Sequence, residues 1–174
     1  MPTPERTTTD AIVTAGREIL EASGPSGLTM QAVARRVGVR APSLYKRVKD
    51  REALLAAVAT ATVDALGERL ERAGDDLAEL ATAYRAFAHA HPEGFRLMFA
   101  APVPQEALER SAAPVIRACA ATVGDDDALD AARLFTAWAT GFLQMELAGA
   151  FRLGGDVDRA YAYGLRQLIG GLSR

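Results

Sequence analysis

The sequence predicts an all-α protein of about nine helices. Alanine is its most frequent residue, and alanine favours helix over sheet because it loses little entropy in a helix. Apolar residues make up 49% of the 174 positions and recur at helical spacing. Glycine and proline interrupt that pattern and divide it into segments of helix length. The chain is long enough for one or two compact domains.

The first two predicted helices lie in the N-terminal quarter. The first begins at one of the capping residues 8–10 and carries apolar side chains along one face. It must end in the segment 23–27, which contains two glycines and a proline. The second helix is short, because it begins after the capping residue Thr29 and ends at Gly38.

A third and a fourth helix follow closely. The third has Pro42 in its first turn and continues through Val48, and Asp50 caps the fourth. Two short helices joined by a glycine-containing turn form a helix-turn-helix pattern. Ala34 is small where these two helices must cross, and Gly38 can adopt the left-handed conformation that the turn requires.

Charge is distributed unevenly along the chain. The net charge of −2 combines nine Lys and Arg against six Asp and Glu in residues 1–56 with eleven against sixteen in residues 57–174. Seven basic residues and one acidic residue lie in the segment 35–51. Such a run is often only a solvated face, but here it falls on a helix-turn-helix pattern. The coincidence predicts double-stranded DNA as the partner.

The segment 28–55 carries several specific sequence pieces. They are Leu-Thr at 28–29, Ala-Arg-Arg-Val-Gly-Val at 34–39, Leu-Tyr at 44–45, and Arg-Glu-Ala-Leu-Leu at 51–55. In these pieces the chain resembles the DNA-binding domain of TetR-family transcriptional regulators, over roughly residues 8–56. Two departures are mild, since the family often has Phe where Val48 stands and Lys where Arg51 stands.

The resemblance implies which residues contact DNA. Tyr45 stands where the family places a hydroxyl on a phosphate, and the alternative is a tyrosine packed in the core. Thr29 is expected to bind a phosphate as well as cap its helix, or to cap alone. Arg51 lies at a helix N-terminus, where a cation opposes the dipole, so a bridging phosphate is expected. The other candidates for contacts with bases or backbone are Gln31, Arg40, Ala41, Pro42, Ser43, Lys46 and Arg47.

A dimer is expected, because one recognition helix makes too small an interface for specificity. The last two predicted helices, Asp127 to about Phe151 and Asp156 to about Leu172, each have two apolar faces. One face can pack within the subunit and the other against a symmetry mate in a four-helix bundle. Alternatively, both faces belong to the core of one subunit. The predicted interface residues are Leu134, Gly141, Ala148, Tyr161, Gly164, Leu165, Leu168, Ile169 and Leu172.

The middle of the chain contains predicted helices near 51–73, 75–91, 92–100 and 104–123. Two stretches there and beyond, within residues 84–99 and 141–151, resemble the ligand-binding domain of the TetR subfamily named for a Trp-His-Gly signature. Thr140 stands where that signature has His, so a ligand role of that His does not apply to this chain. Large apolar groups around a few polar ones are typical of a small-molecule pocket and equally of a core. The candidate pocket residues are Tyr84, Phe87, His91, Phe95, Met98, Phe99, Trp138, Phe142 and Met145.

Several classes of function are not expected. Cys119 is the single cysteine, so a disulfide within the chain is excluded. It is interpreted as a small buried hydrophobe. His89 and His91 are two apart on a helix and cannot face one metal, and the acidic run 125–127 complements a helix N-terminus. No catalytic set and no cofactor motif is found. The polar start, residues 1–10, and the lack of a long apolar run favour a cytoplasmic protein.

The sequence therefore predicts two domains, a helix-turn-helix DNA-binding domain in residues 1–56 and a helical ligand-binding and dimerisation domain in residues 57–174. The expected function is that of a homodimeric, ligand-responsive transcriptional regulator. It is interpreted as a repressor that a small apolar or aromatic effector releases from its operator. The alternatives are a DNA-binding regulator without an effector and a helical ligand carrier or interaction protein.

Overall fold

The computed structural model describes residues 8–173, and all regular elements in that range are helices. The prediction of an all-α fold of about nine helices is confirmed for this part of the chain. The nine described helices are α1 (Thr9–Gly27), α2 (Met30–Arg36), α3 (Ala41–Leu44), α4 (Arg51–Ala73), α5 (Leu77–Ala90), α6 (Pro92–Ala100), α7 (Gln105–Val123), α8 (Ala128–Leu147) and α9 (Val157–Leu172).

Capping side chains that the sequence predicted begin three of the helices. The side-chain oxygens of Thr8, Thr29 and Asp50 accept hydrogen bonds from the backbone amides three residues later, at 3.1, 3.1 and 2.8 Å. Each bond satisfies an amide that has no acceptor within its helix. The predicted break in the first helix is also present, because Gly24 has a φ of +65° and Pro25 follows it.

Two helices end earlier than the sequence predicted. α3 ends at Leu44 instead of continuing through Val48, because the chain tightens into a turn that buries both of these side chains in one core. α8 ends at Leu147 rather than near Phe151. Gly149 stops it with a φ of +62°, and the neighbouring amides bond back to the last turn of α8 in a Schellman motif.

The packing divides the chain into two compact units. The first unit contains the described residues through Asp64 together with the segment His91–Leu108. Its core joins residues of α1 to α4 with Leu97 of α6. The predicted domain boundary after residue 56 stays a prediction about function, whereas the packing assigns α6 to the N-terminal helices. Residues with no more than 1% exposure make up much of this core: Ile12, Leu20, Leu28, Val33, Leu44, Leu54 and Val58.

The second unit contains Ala65–Ala90 and the chain from Glu109 onward. Helices α5, α8 and α9 pack against one another in this unit. Their buried residues include Leu80 of α5, Leu143 of α8 and Tyr161 of α9. Cys119 is fully buried, which confirms its predicted place in the core, and burial raises the pKa of its thiol.

Candidate functional site

Helices α2 and α3 form a helix-turn-helix whose turn has a specific geometry. Gly38, with a φ of +74°, ends α2, and its amide donates to the carbonyl of Arg35 at 3.3 Å. The Val39 amide donates to the carbonyl of Ala34 at 2.9 Å, which completes a Schellman motif. Ala34 is only 3% exposed where the helices cross, as its small size predicted. The local sequence therefore sets the angle between the two helices.

The residues predicted to contact DNA lie on the face of this motif that points away from the core. Leu44 and Val48 are buried, whereas Tyr45 between them is 55% exposed. The alternative in which Tyr45 packs in the core is therefore wrong. Thr29 and Ala41 are half-buried. The other predicted DNA contacts are all exposed: Gln31, Arg40, Pro42, Ser43, Lys46, Arg47 and Arg51.

Several basic side chains of the segment 35–51 carry no ion pair within the part of the chain that the structure describes. Within residues 8–173, Arg40, Lys46 and Lys49 have no acidic side chain in ion-pair contact. The single acidic residue of the segment 35–51 is Asp50, and its carboxylate caps α4. A basic, exposed and narrow surface of this kind can approach the phosphates and the major groove of DNA.

Arg51 has partners inside the protein that the sequence did not reveal. Its Nε donates to the carbonyl of Leu28 at 2.9 Å, and its guanidinium also donates to the carbonyl of Pro25. These two acceptors explain a cation at the N-terminus of α4 without a phosphate. The helix dipole alone therefore does not require a phosphate at Arg51, and a phosphate contact by Arg51 stays a prediction. The structure confirms Thr29 as a cap, and its phosphate contact also stays a prediction.

The nine predicted pocket residues fall into both compact units. His91, Phe95, Met98 and Phe99 belong to the first unit, where Phe95 is fully buried and Phe99 is 52% exposed. The remaining five belong to the second unit: Tyr84, Phe87, Trp138, Phe142 and Met145.

Aromatic side chains of α8 and α9 form a cluster in the second unit. Trp138 stacks on Tyr161 with ring centroids 5.2 Å apart, and Phe142 meets Tyr161 edge-on at 5.1 Å. Phe151, in the segment after α8, contacts the ring of Phe142 at 4.8 Å. Met145, in contrast, is 48% exposed. The structure thus brings Trp138 and Phe142 together, as the pocket prediction requires.

One residue predicted for the dimer interface belongs to the interior of the subunit, and a second, half-buried one lies against a neighbouring helix of the same subunit. Tyr161 is only 4% exposed, and its hydroxyl donates to the carbonyl of Ala81 at 3.0 Å. Gly164 faces Trp138 so closely that an added Cβ would lie 2.6 Å from the indole. For Tyr161 the prediction was wrong, because an apolar stripe shows that a helix face is covered but not which subunit covers it, whereas for Gly164 it stays a prediction. Glycine at position 164 permits the indole to approach α9.

The other predicted interface residues remain available for contact with a second copy. On α8, Leu134 is 52% exposed, and Gly141 and Ala148 are also exposed. A groove of about 600 Å³ borders Leu134 and Leu172. Four residues of α9 that were predicted for the dimer interface are half-buried in the subunit: Leu165, Leu168, Ile169 and Leu172.

A pair of hydroxyls joins α5 to α8 beside the aromatic cluster. The hydroxyl oxygens of Tyr84 and Thr140 lie 2.8 Å apart and share a hydrogen bond. Burial raises the pKa of Tyr84 to about 12, although this hydrogen bond acts in the opposite direction. Thr140 therefore supplies a hydroxyl at the position where the resemblance led us to expect a histidine.

An ion-pair network joins three helices of the second unit, and the sequence analysis missed it. Arg85 of α5 bonds to Glu146 of α8 and to Asp158 of α9, and its guanidinium lies 4.7 Å from the ring centroid of Tyr161. His89 is 3.3 Å from Glu146. Burial would raise the pKa of Glu146, but hydrogen bonds from Arg85 and His89 lower it overall. The two acidic partners of Arg85 lie more than 60 residues away in sequence, so no local spacing could have indicated them.

Metal-binding clusters and membrane-spanning helices are both absent from the described residues. Among residues 8–173, the structure contains no cluster of three His, Cys, Asp or Glu side chains that could hold a metal ion. No helix in the same range combines the length and the apolar character needed to cross a membrane.

Comparison with known proteins places both halves of the chain in one family. Residues 5–58 match the family model described as bacterial regulatory proteins, tetR family, and residues 77–168 match the model of the tetracyclin repressor-like C-terminal domain. The uncharacterized HTH-type transcriptional regulator Rv0681 of Mycobacterium tuberculosis is 29% identical over 98% of this chain and 84% of its own length.

Solved structures have the same fold. A protein with unknown function from Rhodococcus sp. RHA1 is similar with a TM-score of 0.80 and 28% identity, covering 99% of this chain and 100% of that one. A TetR variant from Acinetobacter baumannii AYE, in complex with minocycline, is similar with a TM-score of 0.74 and 26% identity, covering 97% of each chain. The Trp-His-Gly subfamily stays a prediction. The chain belongs to the TetR family, and the prediction of a DNA-binding transcriptional regulator is confirmed.

Proposed function

We propose that this regulator is a homodimeric repressor that leaves its operator when a small apolar or aromatic molecule binds. The observation that carries the DNA half of this proposal is the position of Tyr45 and Lys46. Both side chains are exposed beside the buried anchors Leu44 and Val48. Their place on the outer face allows a phosphate to be bound without any rearrangement of the core.

The DNA-binding role divides among the exposed residues by chemistry. Arg40 can bind a guanine edge with two hydrogen bonds, and Pro42 can contact a thymine methyl group. Tyr45, Lys46 and Arg47 suit phosphates, which fix the position of the motif on the duplex. Two copies would read half-sites about 34–36 Å apart, one helical turn of DNA.

The effector class follows from the aromatic cluster of the second unit. Flat apolar surfaces at Trp138 and Phe142 suit an apolar or aromatic molecule, and the nearby hydroxyls of Tyr84 and Thr140 offer it hydrogen bonds. The similar TetR variant from Acinetobacter is solved in complex with minocycline, which supports a small-molecule effector for this chain. An effector that binds the free conformation better would weaken operator affinity by roughly 5–150-fold.

The repressor acts on DNA in the cytoplasm, and no catalytic role is assigned to any of its residues. A regulator without an effector remains the alternative proposal. It would bind DNA with the same salt dependence, but no small molecule would change its affinity.

A mobility-shift assay on the DNA that flanks the coding region tests the proposal. Lys46→Ala and Tyr45→Phe should each weaken operator binding by about 1–3 kcal/mol and leave dimerisation unchanged. Arg133→Ala is a matched control, because this exposed cation lies on α8 of the second unit. Unchanged operator affinity in both variants would contradict the assigned roles. A screen for molecules that dissolve the shifted complex then tests the effector.

A further inference from the structure

A carboxylate of α1 caps the N-terminus of α6, although the two helices are far apart in sequence. The two oxygens of Glu21 accept hydrogen bonds from the amides of Glu93 at 3.1 Å and Gly94 at 2.8 Å. These are amides of the first helical turn, which have no acceptor within their own helix. His91, the residue before α6, provides no side-chain cap. Glu21 therefore acts as the N-terminal cap of α6, although it belongs to a different helix.

The site around this cap is shaped to admit the carboxylate. A Cβ at Gly94 would lie 2.9 Å from Glu21 and 3.2 Å from Thr62, so glycine is needed for the close approach. Thr62 of α4 is only 2% exposed, and its hydroxyl donates to the carbonyl of Val58. The start of α6 is thus held between α1 and α4.

The segment that follows Glu21 leads directly into the helix-turn-helix. It contains the kink at Gly24 and ends at Thr29, the cap of α2. Arg51 of α4 holds the same segment through the carbonyls of Pro25 and Leu28. α6 is therefore hydrogen-bonded to Glu21, where this piece of chain begins, and α4 is hydrogen-bonded to Pro25 and Leu28 further along it, before α2.

We propose that Glu21 is a positioning residue that couples α6 to the helix-turn-helix, so that the junction after α1 is a second route between effector and DNA beside α4. This inference rests on the proposed function and deepens it, because α6 carries three of the predicted pocket residues, Phe95, Met98 and Phe99. An effector that displaces the start of α6 pulls on Glu21 and shifts α2. By reciprocity, DNA that fixes α2 must also stabilise the capped state of α6.

Amide hydrogen exchange measured by NMR on the full-length protein tests this coupling without an effector. In the wild type, the Glu93 and Gly94 amides should exchange roughly 10–100-fold more slowly than uncapped first-turn amides. Addition of the shortest DNA duplex that the protein shifts should slow them by at least about fivefold more. If the two amides exchange equally with and without DNA, the coupling does not exist.

Variants separate the carboxylate from the packing around it. In Glu21→Gln the DNA-induced slowing should be lost, because one of the two acceptor oxygens and the negative charge are removed. Glu18→Gln is the matched control, since its carboxylate lies one turn earlier on α1 and pairs with Arg36. The control should keep the full effect of DNA. If Glu21→Gln also keeps it, packing alone links the helices and the assignment to Glu21 is wrong.

A second variant covers the case in which Glu21→Gln does not fold. Gly94→Ala keeps the carboxylate but its Cβ forces the oxygens away, so it should give the same loss of the DNA effect. A DNA effect that persists in Gly94→Ala contradicts the proposal. The screen for effectors gives a result that is independent of the exchange measurement. A protein that responds to no small molecule yet shows the DNA effect would overturn the proposed effector and leave the coupling intact.

Discussion

The helix-turn-helix face and the α8–α9 hairpin each combine an apolar stripe with a second surface, but the sequence predicted them unequally well. In the first, Leu44 and Val48 are buried and the polar residues between them are exposed. In the second, Tyr161 was predicted for a dimer interface and belongs to the subunit interior. On the helix-turn-helix, the basic residues of the segment 40–47 correctly marked the outer face. An apolar side chain identifies only a covered one, whether its own subunit or a second copy covers it.

The largest expected effect tests whether the network around Arg85 holds the hairpin. Arg85→Met should lower the free energy of unfolding by about 2–3 kcal/mol, because the Glu146 carboxylate would lose its main partner while only 12% exposed. Denaturant unfolding measures the change. The control, Arg133→Met, breaks an exposed pair with Asp130 and should change stability by no more than about 0.5 kcal/mol. Equally small losses of unfolding free energy in both variants would show that the network around Arg85 does not stabilise the fold.

The two glycines of the predicted interface should respond in opposite ways. Gly164→Ala should cost about 1–3 kcal/mol of stability at every protein concentration, because its Cβ meets Trp138 within the subunit. A Cβ at position 141 would have no neighbour within 4 Å, so Gly141→Ala should stabilise α8 in the single subunit by about 0.5–1 kcal/mol. If α8 faces a second copy, Gly141→Ala should also weaken dimerisation, as sedimentation would show. A concentration-dependent loss in Gly164→Ala would support its assignment to the dimer interface.

Alkaline pH should reveal the buried hydroxyl of Tyr84. Its pKa in the folded protein is about 12, above the ordinary value of 10.0, so folding favours the protonated form. The stability that this preference provides is complete below pH 10 and is lost as the pH rises toward 12. Tyr84→Phe should lower the free energy of unfolding by about 1 kcal/mol at neutral pH, because Thr140 loses its hydrogen-bond partner. Above pH 10 the free energy of unfolding of this variant should fall less steeply with pH than that of the wild type. The control is Tyr163→Phe at an exposed position, and it should retain the alkaline transition of the wild type.

The smallest effect separates the two roles of Arg51. If its guanidinium serves the carbonyls of Pro25 and Leu28, Arg51→Met should leave the salt dependence of operator binding unchanged. Lys46→Ala, in contrast, should lower the slope of log affinity against log salt by roughly one. Titration of operator affinity against salt gives both slopes. A drop of the same size in Arg51→Met would demonstrate a phosphate contact.

Local chemistry made much of the first unit predictable. Capping residues Thr8, Thr29 and Asp50 each satisfy an amide three residues away, so short sequence patterns indicated where these helices begin. Gly38 similarly indicated the turn of the helix-turn-helix. The end of α3 was less predictable. It depends on how Leu44 and Val48 reach a common core, which involves residues from other helices.

The sequence by itself determined the all-α class, the positions of the helices and the exposed basic face, because helix propensity, caps and charge act over a few residues or mark solvent directly. Only the tertiary structure decided the partners of Arg51, Arg85 and Glu21, and the inward position of Tyr161. Each of these depends on contacts between residues at least 20 positions apart. Such contacts form only when whole helices pack, and no local pattern in the chain specifies which polar group will meet which.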